Sequence, residues 1–364
     1  MSYTRAYGSP LRYIQGAGEF ANLPEYTKEY GKACYLIDGF LFEDLKKRLE
    51  ALYENQKDDF LAVSFLGECC KEEVERICGI ARSNEVGVYV GIGGGKTLDT
   101  AKLCADYNGS PIVIVPSSAS TDAPVSEIAV LYTPGGEYIG SQKVRANANL
   151  VVVDSEIILK APERLFVAGI GDALATCFEA KACARTGAPN YIGKGYRSCK
   201  AGMAIAKTCE EIIFEDGLAA VADLKAGQVS DAFENVVEAN ILLSGLGFLN
   251  TGLATAHGIH SGLTALAETH KYLHGEKVAF GIVCQLVLED IDKDMVEKVM
   301  RFMVGIGLPV TLEGLGVKAT EENIAAIARK TVEGPLVHHE DCEVTLKSLC
   351  EVIKRADELG KKYM

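Results

Sequence analysis

Over roughly the first 155 residues, short apolar runs rich in β-branched side chains recur between amphipathic, charged stretches. The runs are Ala33 to Ile37, Leu61 to Phe65, Val86 to Ile92, Ile112 to Val115 and Leu150 to Val153, and Glu43 to Glu54 and Lys71 to Asn84 carry helical spacing between them. Such alternation predicts a parallel sheet covered by helices. Glu127 to Ser141 reads as an inserted hairpin, because EIAVLYT and EYIGSQ flank the turn Pro134-Gly135-Gly136. From Pro162 onward the pattern changes to long segments rich in Ala, Leu, Glu and Lys with helical periodicity, which predicts an all-α second half. Asp172, Ser230 and Thr320 stand where a side chain could cap a helix start. The expected organisation is therefore an α/β domain over residues 1–160 and a helical domain over 161–364, with a cleft between them.

Composition narrows the partners. The 364 residues are 48% hydrophobic and 24% charged, enough to build sizeable cores. With 37 Lys plus Arg against 50 Asp plus Glu, the net charge is −13, a field that repels nucleic acid and anionic membranes. A small neutral substrate is expected. The twelve cysteines show no paired CxxC pattern, the N-terminal MSYTRAYGSP has no signal-peptide core, and no run approaches the ~20 apolar residues of a membrane span. A soluble, cytoplasmic protein with reduced cysteines follows as an expectation.

Two segments carry candidate chemistry. GVYVGIGGG followed by KTLDTAKLCADY reads as a strand, a glycine turn and a helix. Backbone N–H groups at such a turn can cradle a phosphate, although the same pattern also serves as a tight structural connection. It is neither a G-x-G-x-x-G fingerprint, since Lys96 occupies the last glycine position, nor a P-loop, since Val90 occupies the first. Asp38, ending the run Tyr35-Leu36-Ile37, sits where a carboxylate could bond ribose hydroxyls and disfavour NADP, or simply cap a loop. Four of the six histidines, His257, His260, His270 and His274, lie within 18 residues. Imidazole nitrogens plus one carboxylate make an open site for zinc or Fe(II), and Asp172 in GIGDALAT is a candidate for the acid. HExxH is absent, which disfavours a protease.

GIGGGKTLDTAK, ASTDAP, GIGDALAT-x-FEA, AHGIHSG and HGEKVAFG, in that order along the chain, resemble the iron-containing alcohol dehydrogenase superfamily in its glycerol dehydrogenase branch. The resemblance implies a Rossmann-like NAD-binding domain, an all-helical metal domain (the dehydroquinate synthase-like fold) and catalysis in the cleft. It implies one zinc per subunit on Asp172, His257 and His274. NAD contacts are implied at Asp38, at Gly94, Gly95, Lys96, Thr97, Leu98 and Asp99, at Ser117, Ser118, Ala119 and Ser120, and at Ser126, Ile128, Val130 and Tyr132. Asp122 matches the acid that binds the polyol, and Phe248 an aromatic near it. Iron-using relatives carry histidine four residues after the metal-binding aspartate, where this chain has Thr176, so zinc is preferred. Cys177, Ser117, Glu127 and Leu249-Asn250-Thr251 depart from the branch, and the last of these bears on which polyol is used.

The reaction expected is oxidation of glycerol or a related polyol to the hydroxyketone, with hydride passing from a zinc-bound alkoxide to NAD. His260 is either a proton relay or a residue that only orients its neighbours, and Lys96 would neutralise phosphate. The competing readings are a same-fold dehydrogenase of a phosphorylated substrate such as glycerol-1-phosphate, which would need basic residues like Lys271 or Lys277 at the site, and a non-enzymatic NAD- or metal-binding protein. The family also suggests a homo-oligomer of up to eight subunits.

Overall fold

The computed structural model describes residues 4–364. The chain forms two compact units: Ser9–Ala119 with Ala123–Ala161, and Pro162–Met364 with Ser120–Asp122 and the segment ending at Gly8.

The α/β unit is built on strands β1 (Tyr13–Gly16), β2 (Ala33–Ile37), β3 (Phe60–Ser64), β4 (Val88–Gly93), β5 (Ile112–Pro116) and β8 (Leu150–Asp154), in the spatial order β1-β8-β5-β4-β2-β3. Every neighbouring pair is parallel. β2, β4, β5 and β8 are buried along their whole length, which is why they read as continuous apolar runs rather than alternating ones. β1 was not foreseen: its four residues, Tyr-Ile-Gln-Gly, are only half-buried and pair with β8 alone at the sheet edge. Strands β6 (Ile128–Tyr132) and β7 (Tyr138–Lys143) form the expected antiparallel hairpin. Helices α1 (Leu23–Thr27), α2 (Phe42–Leu52), α3 (Lys71–Ser83), α4 (Gly95–Asn108) and α5 (Ser155–Leu159) complete the unit. Tyr35, Ile37, Val88, Val90, Ile92, Val113 and Val115 from the sheet form one core with Phe20, Leu45 and Leu49.

This topology fixes where a ligand can sit. β2 leads outward to β3, while β4, hydrogen-bonded to β2, leads the other way to β5. The connections after β2 and β4 therefore diverge, opening a crevice at the carboxyl ends of these two strands.

The other unit is helical: α6 (Glu163–Thr186), α7 (Lys200–Ala226), α8 (Asp231–Glu238), α9 (Ser244–Thr251), α10 (Thr255–Leu263), α11 (His274–Leu288), α12 (Lys293–Gly305), α13 (Glu321–Glu333) and α14 (Leu346–Lys361). Ser230 and Thr320 cap as expected, their hydroxyls accepting from Phe233 N at 3.1 Å and Asn323 N at 3.2 Å. Asp172 does not cap. It lies in the middle of α6, which begins at Glu163 just after Pro162, and the glycines around it are helical residues at a close helix contact rather than a helix start. A π-helical turn, Ala239–Leu243, joins α8 to α9. The resulting 21-residue segment Asp231–Thr251 is long and apolar enough to cross a membrane by length and composition alone, but 72% of an 18-residue window within it is buried inside the protein.

Candidate active site

The helical unit brings one carboxylate and three imidazoles together through two close backbone contacts. A Cβ on Gly275 would collide with the carbonyl of Ala168, and one on Gly171 would lie 2.6 Å from the carbonyl of Gly275. Only glycine at both positions lets α6 and α11 approach this closely, and their chain neighbours are Asp172 and His274. α10 packs against α11 and supplies His257 and His260.

Asp172 Oδ1 lies 3.2 Å from His257 Nε2 and 3.1 Å from His274 Nε2, and the two ring nitrogens are 3.2 Å apart. All three side chains offer a ligand atom within 4.8 Å of one another. Asp172 is buried, and its Oδ2 has no hydrogen-bond partner. An unpartnered buried carboxylate oxygen costs free energy, and of two imidazole nitrogens 3.2 Å apart only one can donate to the other. A cation between them would satisfy all three groups, and the donor set of two nitrogens and a carboxylate suits zinc or Fe(II). Burial alone would raise the Asp172 pKa, but His274 and His257 hold its carboxyl well below the usual range.

Each ligand-type histidine is held from behind. His257 Nδ1 is 2.7 Å from Glu179 Oε2, and Glu179 is fully buried on α6. His274 Nδ1 is 3.1 Å from His260 Nε2. Burial, followed by the neighbouring His274 and Lys277, pushes the His260 pKa well below that of free imidazole, so it stays neutral. His270 is not part of this cluster; its ring faces the carbonyl of Thr264 on an exposed surface.

Asp122 belongs to the same unit. Its Oδ2 accepts from Ser244 Oγ at 2.9 Å, and that hydroxyl also lies 3.1 Å from Thr176 Oγ1, one turn beyond Asp172 on α6. Burial and the Asp172 charge push the Asp122 carboxyl up to about 8. Phe248 is buried on α9 with its ring edge-on to Tyr191, centroids 5.6 Å apart.

In the α/β unit, the glycine turn joins β4 to α4. Gly93 is required by packing, since a Cβ there would come within 2.9 Å of Thr97 and Asp38. Gly94 and Gly95 face open space, and α4 has no side-chain cap. Free N–H groups beneath an open surface at the crevice between β2 and β4 fit a diphosphate. Asp38 joins this turn: its backbone N–H donates to Ile92 O, and its carboxylate accepts from Thr97 Oγ1 at 3.2 Å.

The iron-containing alcohol dehydrogenase family matches residues 10–155. A glycerol dehydrogenase of Thermotoga maritima is 44% identical over 360 residues, 97% of this chain and 96% of that protein. The chain belongs to the iron-containing alcohol dehydrogenase family. Its similarity to the glycerol dehydrogenases extends to structures: a probable glycerol dehydrogenase of Sinorhizobium meliloti is 42% identical with a TM-score of 0.90, covering 98% of this chain and 99% of that one. The glycerol dehydrogenase of Schizosaccharomyces pombe is 34% identical with a TM-score of 0.91, covering 100% and 92%. The chain is thus an oxidoreductase, with the parallel α/β sheet and helical region of this family.

Several residues expected to contact a cofactor are engaged with their own unit. Lys96 Nζ sits on both Glu68 carboxylate oxygens at 2.7 Å and over the Tyr132 ring at 4.5 Å, so its charge is already balanced there. Asp99 is buried, bonded to Lys102 Nζ at 3.0 Å and to Val130 N at 2.9 Å. The same ammonium donates to the carbonyls of Ala123 and Ile128, with Ser126 Oγ at 3.4 Å. This buried knot ties α4 to the β6–β7 hairpin. Ser117 is buried with its N–H on Gly93 O. Leu98 is buried in the core, while Ser118, Ala119 and Ser120 follow β5, with Ser120 counted in the helical unit.

Glu179, Ser244, Tyr191 and Glu68 escaped the reading of the sequence. For Glu179 a signal existed: it stands seven residues, about two turns, after Asp172, hence on the same face of an otherwise Ala-rich stretch. The others are joined to the site only by tertiary structure.

Proposed function

We propose that this chain is an NAD-dependent, zinc-using dehydrogenase that oxidises glycerol or a closely related small polyol to the hydroxyketone. The observation that carries the reading is the convergence of Asp172, His257 and His274 around a buried, unpartnered carboxylate oxygen, with Asp122 nearby in the same unit. Membership among glycerol dehydrogenases supports the substrate class.

Asp172, His257 and His274 would hold the metal, in the helical unit, and the α4 N-terminus with Asp38 would hold the dinucleotide, in the α/β unit. When bound, the metal supplies Lewis acidity that makes a substrate hydroxyl a stronger acid, and NAD supplies the hydride acceptor. The chain's own groups do the rest. His260 keeps the proton of His274 on Nδ1, leaving Nε2 free as a ligand, a positioning role rather than a relay. Asp122, steadied by Ser244, would accept a hydrogen bond from a second substrate hydroxyl and so favour a polyol over a simple alcohol. Phe248 and Tyr191 supply an apolar wall. Zinc is preferred over iron because Thr176, spent on Ser244, offers no imidazole as a fourth ligand.

The carboxylates Asp172 and Glu179 give this region an acidic character that disfavours a phosphorylated substrate. Zinc-loaded protein assayed with NAD should form NADH with glycerol or 1,2-propanediol and none with glycerol phosphates. Turnover restricted to the phosphorylated compounds would overturn the substrate assignment.

A further inference from the structure

The first N–H groups of α10 are not capped by residues of its own helix. Ala254 N and His257 N donate to Glu179 Oε1 at 2.8 and 2.9 Å, Thr255 N to Glu340 Oε1 at 3.3 Å, and Ala256 N to Gln285 Oε1 at 3.2 Å. Each orphan donor of the helix thus meets a buried side chain from elsewhere in the unit. Glu340 also takes the Thr255 hydroxyl, but Glu179 differs from the other two because its second oxygen, Oε2, reaches the imidazole ring of the residue that its Oε1 caps. It grips His257 at both the backbone N–H and Nδ1.

We propose that Glu179 is the positioning residue of the metal centre, fixing the His257 ring with its proton on Nδ1 so that Nε2 presents a lone pair to the ion. This rests on the metal-site reading above. The geometry is directional: Nδ1 is 2.7 Å from Glu179 Oε2, while Nε2 faces Asp172 Oδ1 and His274 Nε2. Of the ring's two carboxylate contacts the one from Nδ1 to Glu179 is the shorter, so the hydrogen is assigned to Nδ1, and a cation in the site would take the place of a proton on Nε2. The ring cannot turn over without losing this bond to Glu179. The buried acid also balances charge behind the ligand and raises the ligand's basicity. A helix cap alone needs one oxygen and no contact with the ring.

The substitution that separates the two roles is E179Q. Glutamine keeps an oxygen for Ala254 N and His257 N, but its amide offers a hydrogen toward Nδ1, which favours the tautomer protonated on Nε2, the one unable to bind metal. Zinc affinity is measured by titrating chelator-treated wild type and E179Q with a competing indicator, with thermal unfolding checking the fold. The expected result is a folded E179Q that binds zinc about 10–100-fold more weakly than wild type, the usual scale for removing such a partner. Equal affinity in folded E179Q would overturn the proposal and leave the metal site standing, whereas wild type that binds no zinc would overturn both. Histidine ¹⁵N spectra of zinc-loaded wild type give a test that needs no variant. His257 should show a proton on Nδ1 and none on Nε2, and the opposite assignment would refute the proposal.

Discussion

In the proposed reaction, substrate choice turns on Asp122. Its carboxyl lies in the helical unit, bonded to Ser244 and close enough to Asp172 for that charge to help raise its pKa. Above about pH 8, where the Asp122 carboxyl is ionised, a hydrogen bond to it contributes about 1.5–3 kcal/mol, and 1.4 kcal/mol is a factor of ten. Asp122→Ala should therefore raise KM for glycerol roughly tenfold to a hundredfold while leaving KM for NAD nearly unchanged, read from steady-state rates. An unchanged glycerol KM with a lowered melting temperature would reduce Asp122 to a turn residue. At this scale the sequence was partly legible. The histidines and the two aspartates stood out because such side chains are conspicuous among Ala, Gly and Leu. Glu179 did not, since a glutamate in a helix is ordinary until the helix proves buried on that face. Lys96 was legible only as a positive charge beside a glycine turn, and Glu68, which neutralises it, comes from the connection between β3 and α3, 28 residues earlier.

Among the elements, the strands were read best. A parallel strand buried on both faces is a short apolar run, and β2, β4, β5 and β8 show that pattern. The helix containing Asp172 was misjudged because glycine beside an acid looks like a boundary, whereas Gly171 is helical and marks where α11 crosses α6. That crossing gives an element-scale prediction. Gly275→Ala places a methyl against the carbonyl of Ala168, and the backbones must separate. Overpacking of this kind costs about 1–3 kcal/mol, and here the displaced residues adjoin Asp172 and His274. The variant should melt several degrees lower, at ~2–4 °C per kcal/mol for a unit of this size, and should lose zinc affinity as well. Calorimetry with a zinc titration would show it, and a destabilised variant with undiminished zinc affinity would mean that the glycine contact does not set the site.

For the whole molecule, the division of labour follows from where each chemistry resides. The open glycine turn and Asp38 lie in the α/β unit, and Asp172, His257, His274 and Asp122 lie in the helical one. Fold class was legible because a period change near Pro162 separates strand-and-helix alternation from uninterrupted helix. The sequence did not reveal that Ser120–Asp122, buried in the α/β stretch of the chain, is counted with the helices, because a three-residue excursion leaves no periodicity to read. In the proposed reaction Asp172, His257 and His274 form one catalytic metal centre per chain. The most direct test is to strip the protein with chelator and follow glycerol-dependent NADH formation as zinc is added back. The stripped protein should show almost no activity, recovery should level off at one zinc per chain, and His257→Ala should not recover. Full activity without metal, or recovery in His257→Ala equal to wild type, would contradict it.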